Sequence, residues 1–186
     1  VPWFASSVTA FLTRRHPFFL HSEAEFFVAY RAGRPVGRIC LIEPVRFNSY
    51  QNLSDCRFYF LDLLDDSEIA EALFAHARSW AATRGLTRLI GPQGFSSFTG
   101  AGILIDGFSE RAAMTMMNYH HPYYHELVER CGFTKYKDFY SAKLVRSEFT
   151  LPQQVQRLAA ITAERNSLHV RSLTSRKEMR EIAGRI

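Results

Sequence analysis

Apolar positions in the first third of the chain come in short runs of strand length. Residues 25–30 hold Phe26, Phe27, Val28 and Tyr30, side chains that suit a pleated, half-buried surface. Arg31-Ala32-Gly33-Arg34 then supplies a turn and residues 35–42 return as a second strand, which predicts a hairpin. Residues 43–57, with Pro44, Asn48, Asn52 and Ser54, read as a loop, and residues 57–64 as a third apolar strand.

The period then changes. Ile69, Ala70, Leu73, Phe74, Ala77, Trp80 and Ala81 recur at threes and fours, which predicts a helix over 67–84 with one apolar face. Asp65 or Asp66 can cap its start, Glu68 lies in the first turn, and Gly85 suits a left-handed stop. Residues 86–90 read as a short buried strand. The segment 91–102, GPQGFSSFTGAG, carries four glycines and no charge and reads as a loop. Its Phe95, Ser96, Ser97, Phe98 and Thr99 either form an acceptor pocket or lid, or a surface crossover held by the two phenylalanines. Short strands are expected at 103–105 and 112–117, and a two-turn helix over 123–131 closed by Gly132, before an extended segment at 133–145. A further helix starts with Pro152 in its first turn, with Val155, Leu158, Ala159 and Thr162 expected to face inward. Residues 168–173 look like a strand, and Ser175-Arg176-Lys177-Glu178 is a capping box that opens a last helix.

Composition narrows the class without naming a function. The 186 residues are 47% hydrophobic and 22% charged, which fits one globular domain with a piece of another and argues against disorder. No apolar run reaches the roughly 18 residues of a membrane span. Cys40, Cys56 and Cys131 are odd in number and far apart, which argues against a disulfide framework and fits a cytoplasmic location. The net charge of +5 is unevenly placed: residues 1–140 hold 14 basic and 14 acidic side chains, and residues 141–186 hold 9 against 4. The basic excess is spread through helix-like text rather than gathered in a groove, which disfavours nucleic acid as a partner.

Some side chains suggest chemistry by type alone. His120, His121 and His125 invite a metal, but Pro122 interrupts them and no Cys or carboxylate has ligand spacing, so no metal site is expected. A Cys131–His125 nucleophile pair is equally disfavoured, the two being six residues apart on different sides of a helix. Asn118 can orient an amide or simply form a turn.

The order hairpin, loop, strand, long helix, strand, then strand, short helix, Gly-Phe, strand resembles the GNAT acyltransferase superfamily. The residues that carry it are AYRAGRPVGRI (29–39), the helix and strand over 67–90, and PYYHELVERCGF (122–133). More narrowly, Gly91-Pro92, Gly102, Leu104, Asp106-Gly107-Phe108 and the following Asn118 and Pro122-Tyr123-Tyr124 look like the first unit of bacterial proteins about twice this length that carry two GNAT-type units in tandem. The resemblance implies an α/β fold, a GNAT-like mixed central sheet flanked by helices, whose first strand and helix would precede Val1. It implies a GNAT-like domain over 1–148, a connecting helix over 149–166, and the start of a second unit over 167–186.

It also implies a site. Acetyl-CoA or another acyl-CoA would lie in a splayed cleft, its pantetheine along the strand of Leu61 and Leu63 and its pyrophosphate at the helix start, Asp66 and Ser67. The glycine-rich turn of the superfamily has no counterpart in 64–68 (LDDSE), where three carboxylates stand instead and can act simply as helix caps. The residue four before Gly132 is a tyrosine in many members and is Val128 here. Tyr123 and Tyr124, earlier in the same helix, are then the candidates to protonate the leaving thiolate, with Asn118 beside them. The resemblance thus points to an N-acetyltransferase-like protein acting on a small-molecule amine or a peptide, with no membrane partner. The alternative is a non-catalytic module with a degenerate CoA site that supports a second GNAT-like domain of the same protein. A third reading, polyanion binding, rests only on the basic tail.

Overall fold

A computed structural model describes residues 5–96, 99–110 and 118–183, with side chains from residue 8 onward. The chain divides into two compact units, Val1–Phe139 and Tyr140–Ile186.

The first unit is α/β, a four-stranded mixed sheet flanked by helices. Its elements are α1 (Ala5–Leu12), a 3₁₀ turn (Pro17–Leu20), β1 (Glu23–Arg31), β2 (Arg34–Glu43), α2 (Val45–Gln51), β3 (Asp55–Leu63), α3 (Ser67–Ala82), β4 (Arg88–Ile90) and α4 (Tyr123–Arg130). The sheet order is β1-β2-β3-β4, antiparallel except for the parallel pair β3–β4 that α3 connects. The expected hairpin is β1–β2, turning at Ala32-Gly33 with both residues left-handed.

Alternation in the central strands feeds two cores. Ile39 and Leu41 of β2 and Phe58 of β3 face α3 and α4, whereas Cys40, Ile42 and Tyr59 face Phe11, Phe18 and Phe95. All seven residues of the expected α3 stripe are buried. Asp66 is the N-cap, its side chain accepting from Glu68 N at 2.9 Å. Gly37 lets α3 come close: a Cβ there would stand 2.9 Å from Ile69 Cγ2 and 3.0 Å from Leu73 Cδ1. At the other end of the sheet, buried Asp55 receives both Nε and Nη2 of Arg88, at 2.8 and 2.9 Å, joining the start of β3 to β4.

Several expectations are corrected. The stretch 43–57 is not all loop, since α2 occupies Val45–Gln51. Its buried Asn48 donates to Asp55 O and accepts from Asp55 N, replacing the hydrophobic stripe that usually announces a helix. The helix α1 was not anticipated either. No strand forms at 103–105, and none over 133–145; among the described residues neither segment finds a ladder partner. The strand expected at 112–117 and residues 97 and 98 of the glycine loop lie outside the described residues.

The second unit contains α5 (Gln153–Arg165) and α6 (Arg176–Ala183). The capping box of α6 forms, Ser175 Oγ accepting from Glu178 N and Glu178 Oε2 from Ser175 N. The inward face expected on α5 is exposed, with Leu158 at 62%, because no described element of this unit covers it. The strand expected at 168–173 is absent, and Val170 is fully exposed.

Candidate functional site

The site is built where β3 outlasts β4. Parallel pairing ends at Arg57 with Ile90. The chain then turns away at Gly91, crossing so close over Phe58 that a Cβ on Gly91 would lie 2.5 Å from Phe58 O. Gln93 N still donates to Phe58 O at 2.9 Å, and beyond that no strand among the described residues lies on this side of the second half of β3. Within that half β3 is bulged, its register against β2 slipping between the pairs Arg38–Asp62 and Cys40–Tyr59, with Phe60 at φ +48°. A left-handed phenylalanine in a strand stores about 1–3 kcal/mol and re-aims the peptide groups around it.

The open side of β3 is met by α4. Tyr123 donates its hydroxyl to Leu63 O at 2.8 Å. Tyr124, 4% exposed, accepts from Leu63 N at 3.2 Å and donates to Asp62 Oδ1 at 2.9 Å. Both hydroxyls of the tyrosine pair are therefore engaged on the main chain of one residue of β3, Leu63. Burial is the leading reason that each phenol titrates above its ordinary value, so both hold their protons at neutral pH. The rings form a stack: His121 on Tyr123, Tyr123 on Tyr124 at 4.9 Å, and His120 tilted on Tyr124 at 4.9 Å.

Two cross-links hold the segment before α4. Asn118 Nδ2 donates to Gly102 O at 3.1 Å, and His120 Nδ1 accepts from Leu104 N at 3.5 Å. Burial pushes the His120 imidazole down to about 4, against the pull of Asp62 and with a small push from His121, so it is neutral at pH 7. Asp62 also meets Arg38 Nη2 at 3.3 Å.

The structure thus brings Tyr123, Tyr124 and Leu63 together directly. Leu61 is buried two residues back along β3 and Asn118 reaches the group only through the glycine loop. Ser67, exposed, opens α3 and makes none of the contacts described for this cluster. Asp66 is occupied twice, capping α3 and pairing with Arg31 Nη1 at 2.6 Å, while Arg31 Nη2 holds Glu68 at 3.0 Å. The hairpin tip thereby neutralises part of the acidic turn. An open depression of about 550 Å³ adjoins it, lined by Asp65, Tyr123, Glu126 and Arg130 among others. Sequence reasoning missed Asp62, Arg31 and the role of His120, and no spacing signal joins residues 31, 62 and 120.

The remaining candidates lie elsewhere. His125 Nε2 meets Glu129 at 3.2 Å rather than Cys131. Burial raises the Cys131 thiol, and it pushes Cys56 up to about 12. Phe95 is 7% exposed and stacks on Phe11 at 4.0 Å, which makes it a core residue of the second face. Among the described residues there is no group of three or more His, Cys, Asp or Glu side chains arranged for a metal, and no helix long and apolar enough to cross a membrane.

Comparison with known proteins adds a second line. Over 143 residues, 76% of this chain, the sequence is 32% identical to a bacterial ceramide synthase of Caulobacter vibrioides. Over 147 residues, 79% of the chain, it is 26% identical to the protein YghO of Escherichia coli. Both are homologues of this chain. In each case the match covers 37% of the relative, so the chain spans little more than a third of the length of the curated relatives it matches. No family model matches, and no solved structure matches.

Proposed function

We propose that this chain contributes to an acyltransferase of GNAT type that moves an acyl group from an acyl-CoA thioester to an amine. The observation that carries the reading is the parting of β3 from β4 after Ile90, beyond which the described partners of Leu63 on this side are two protonated phenols rather than a strand. The Caulobacter relative supports it by name, since a ceramide is the amide of a fatty acid with a long-chain amino alcohol. An amine of that class is therefore the acceptor to try first, and Asp65 at the rim of the depression favours an ammonium ion over a phosphate, Glu126 there being paired with Arg130 at 3.5 Å.

In the reaction the amine nitrogen adds to the thioester carbon, the C–N bond forms and the C–S bond breaks. The thiolate takes a proton from Tyr123, the less buried phenol, and the proton shed by nitrogen returns to Tyr123 through water. Pantetheine would displace the tyrosine hydroxyls from Leu63 in order to pair there.

Two observations favour a second reading, a non-catalytic module. Leu63 already has both peptide groups bonded, and the turn at α3 holds acids where a phosphate would need glycines. Calorimetry with acetyl-CoA and palmitoyl-CoA, followed by mass spectrometry of products with a long-chain amino alcohol, separates the two. Binding together with an N-acylated product is expected. No binding up to the millimolar range would leave the second reading in place.

A further inference from the structure

We propose that α2 and the 3₁₀ turn before β1 form a docking surface for the headgroup region of an anionic lipid bilayer. The surface lies apart from the acyl-transfer site and belongs to the first unit alone.

Val45, Phe47, Tyr50 and Leu53 are exposed on or just beyond α2, Tyr50 at 84%. Leu20, the last residue of the 3₁₀ turn, is exposed at 87%. The two segments leave the sheet at one end, because Glu23 at the start of β1 pairs with Glu43 at the end of β2. They also share a face. Phe18 of the turn packs in one core with Ile42, and Arg57 stands on that same side because it pairs with Ile42 across the ladder. The Phe47 ring lies over the Arg57 guanidinium at 4.3 Å.

Charge selects the occupant. The acids at this end already hold arginines: Glu23 pairs with Arg14, Glu43 with Arg84 and Asp55 with Arg88. Arg15 and Arg46, both exposed, come on top of those pairs, and Arg57 adds a cation behind Phe47. A second copy of this face would set like charges against each other, whereas lipid phosphates would meet them with the opposite sign. Tyr50 and Arg46 suit the depth at which headgroups meet acyl chains, since each joins an apolar body to a polar tip.

Among the described residues no helix is long and apolar enough to cross a membrane, but lying on one needs only apolar side chains beside basic ones. The long-chain amine read above as acceptor dissolves in such a bilayer, so the surface would bring the chain to its substrate.

The test is sedimentation of the whole chain with vesicles of phosphatidylcholine, alone or mixed in equal parts with phosphatidylglycerol. Binding is expected to the mixed vesicles and should weaken as salt is raised. Leu20→Ser and Tyr50→Ser should each weaken it by about 10-fold through lost apolar contact. Arg46→Gln should weaken it by about 5-fold through lost charge. All three side chains are exposed, so the thermal melts should match wild type. In Tyr50→Trp the added fluorescence should shift to the blue and be quenched by brominated lipid. In Tyr30→Trp, near the far end of the hairpin, it should not.

No binding to the mixed vesicles, or binding that all three variants leave unchanged, would overturn the proposal. So would quenching in Tyr30→Trp that equals or exceeds that in Tyr50→Trp. A dimer in the ultracentrifuge that Tyr50→Ser dissociates would assign the face to a second copy instead. Vesicle binding is read without acyl-CoA or amine, so its failure leaves acyl transfer standing, and a failure to acylate leaves the surface standing.

Discussion

The tyrosine pair shows what the main chain of one residue can concentrate. Leu63 is buried and its N–H and C=O face away from β2, so without Tyr123 and Tyr124 both would need another partner. Tyr124→Phe should cost about 1–3 kcal/mol, because it orphans a buried N–H, and Tyr123→Phe about 0.5–1.5 kcal/mol. Urea denaturation of both variants and of the double variant would also reveal coupling, since the two hydroxyls bond the same residue, Leu63. If Tyr124→Phe were as stable as wild type, water would have to reach Leu63 N. The acidic turn makes a second residue-scale prediction. Its hydrogen bond to Arg31 holds Asp66 below its ordinary value of 3.8, helped by the amide of Glu68 and opposed by desolvation. The folded state thus prefers the carboxylate, a stabilisation present above pH 3.8 and lost as pH falls through the depressed value. Asp66→Asn keeps a good N-cap, so Tm measured between pH 5 and 2.5 should fall less steeply in the variant than in wild type. An unchanged slope would mean that Arg31 does not hold Asp66 in solution.

Among the elements, α3 was legible from its first residue to within two of its last, and α2 was not. The α3 stripe repeats at helical spacing and carries its cap at Asp66, so local sequence and tertiary packing agree. In α2 the apolar residues Val45, Phe47 and Tyr50 are exposed, and the one buried contact is polar, from Asn48 to the main chain of Asp55. A helix held by one polar side chain on the main chain of the next strand, rather than by an apolar face, leaves no periodic trace. The seating of α3 depends on Gly37, where an added methyl group would press on Ile69 and Leu73. Gly37→Ala should destabilise by about 1–3 kcal/mol through overpacking. A thermal melt that matched wild type would show that the two side chains relax freely. Asp65 and Asp66 belong to the same element boundary. Replacing both by glycine should tighten CoA binding if their charge is what keeps phosphate away, and unchanged calorimetry would count against that electrostatic account.

Across the whole molecule, burial is divided as unequally as charge. The first unit holds both hydrophobic cores, whereas α5 and α6 bury no residue. Native-state hydrogen exchange should accordingly find amides of β2, β3 and α3 opening only near the global unfolding energy, and those of α5 and α6 exchanging with little protection. Slow exchange in α5 would mean that something covers Val155, Leu158 and Ile161 in solution. The basic excess falls almost wholly in this second stretch, so pI says little about what the site in the first unit recognises.

The hairpin, the α3 stripe, Gly132 and the capping box at Ser175 were settled by the sequence alone, because each depends on neighbours within a few residues. The resemblance read from 29–39, 67–90 and 122–133 also anticipated the mixed sheet flanked by helices. Only the tertiary structure decided that Arg31 would neutralise part of the turn at Asp66, that Leu63 would receive two hydroxyls from α4, and that Leu104 would fix the tautomer of His120. Those contacts join residues 16 to 61 positions apart. Nothing local encodes them, because each joins segments that meet only once the chain has folded.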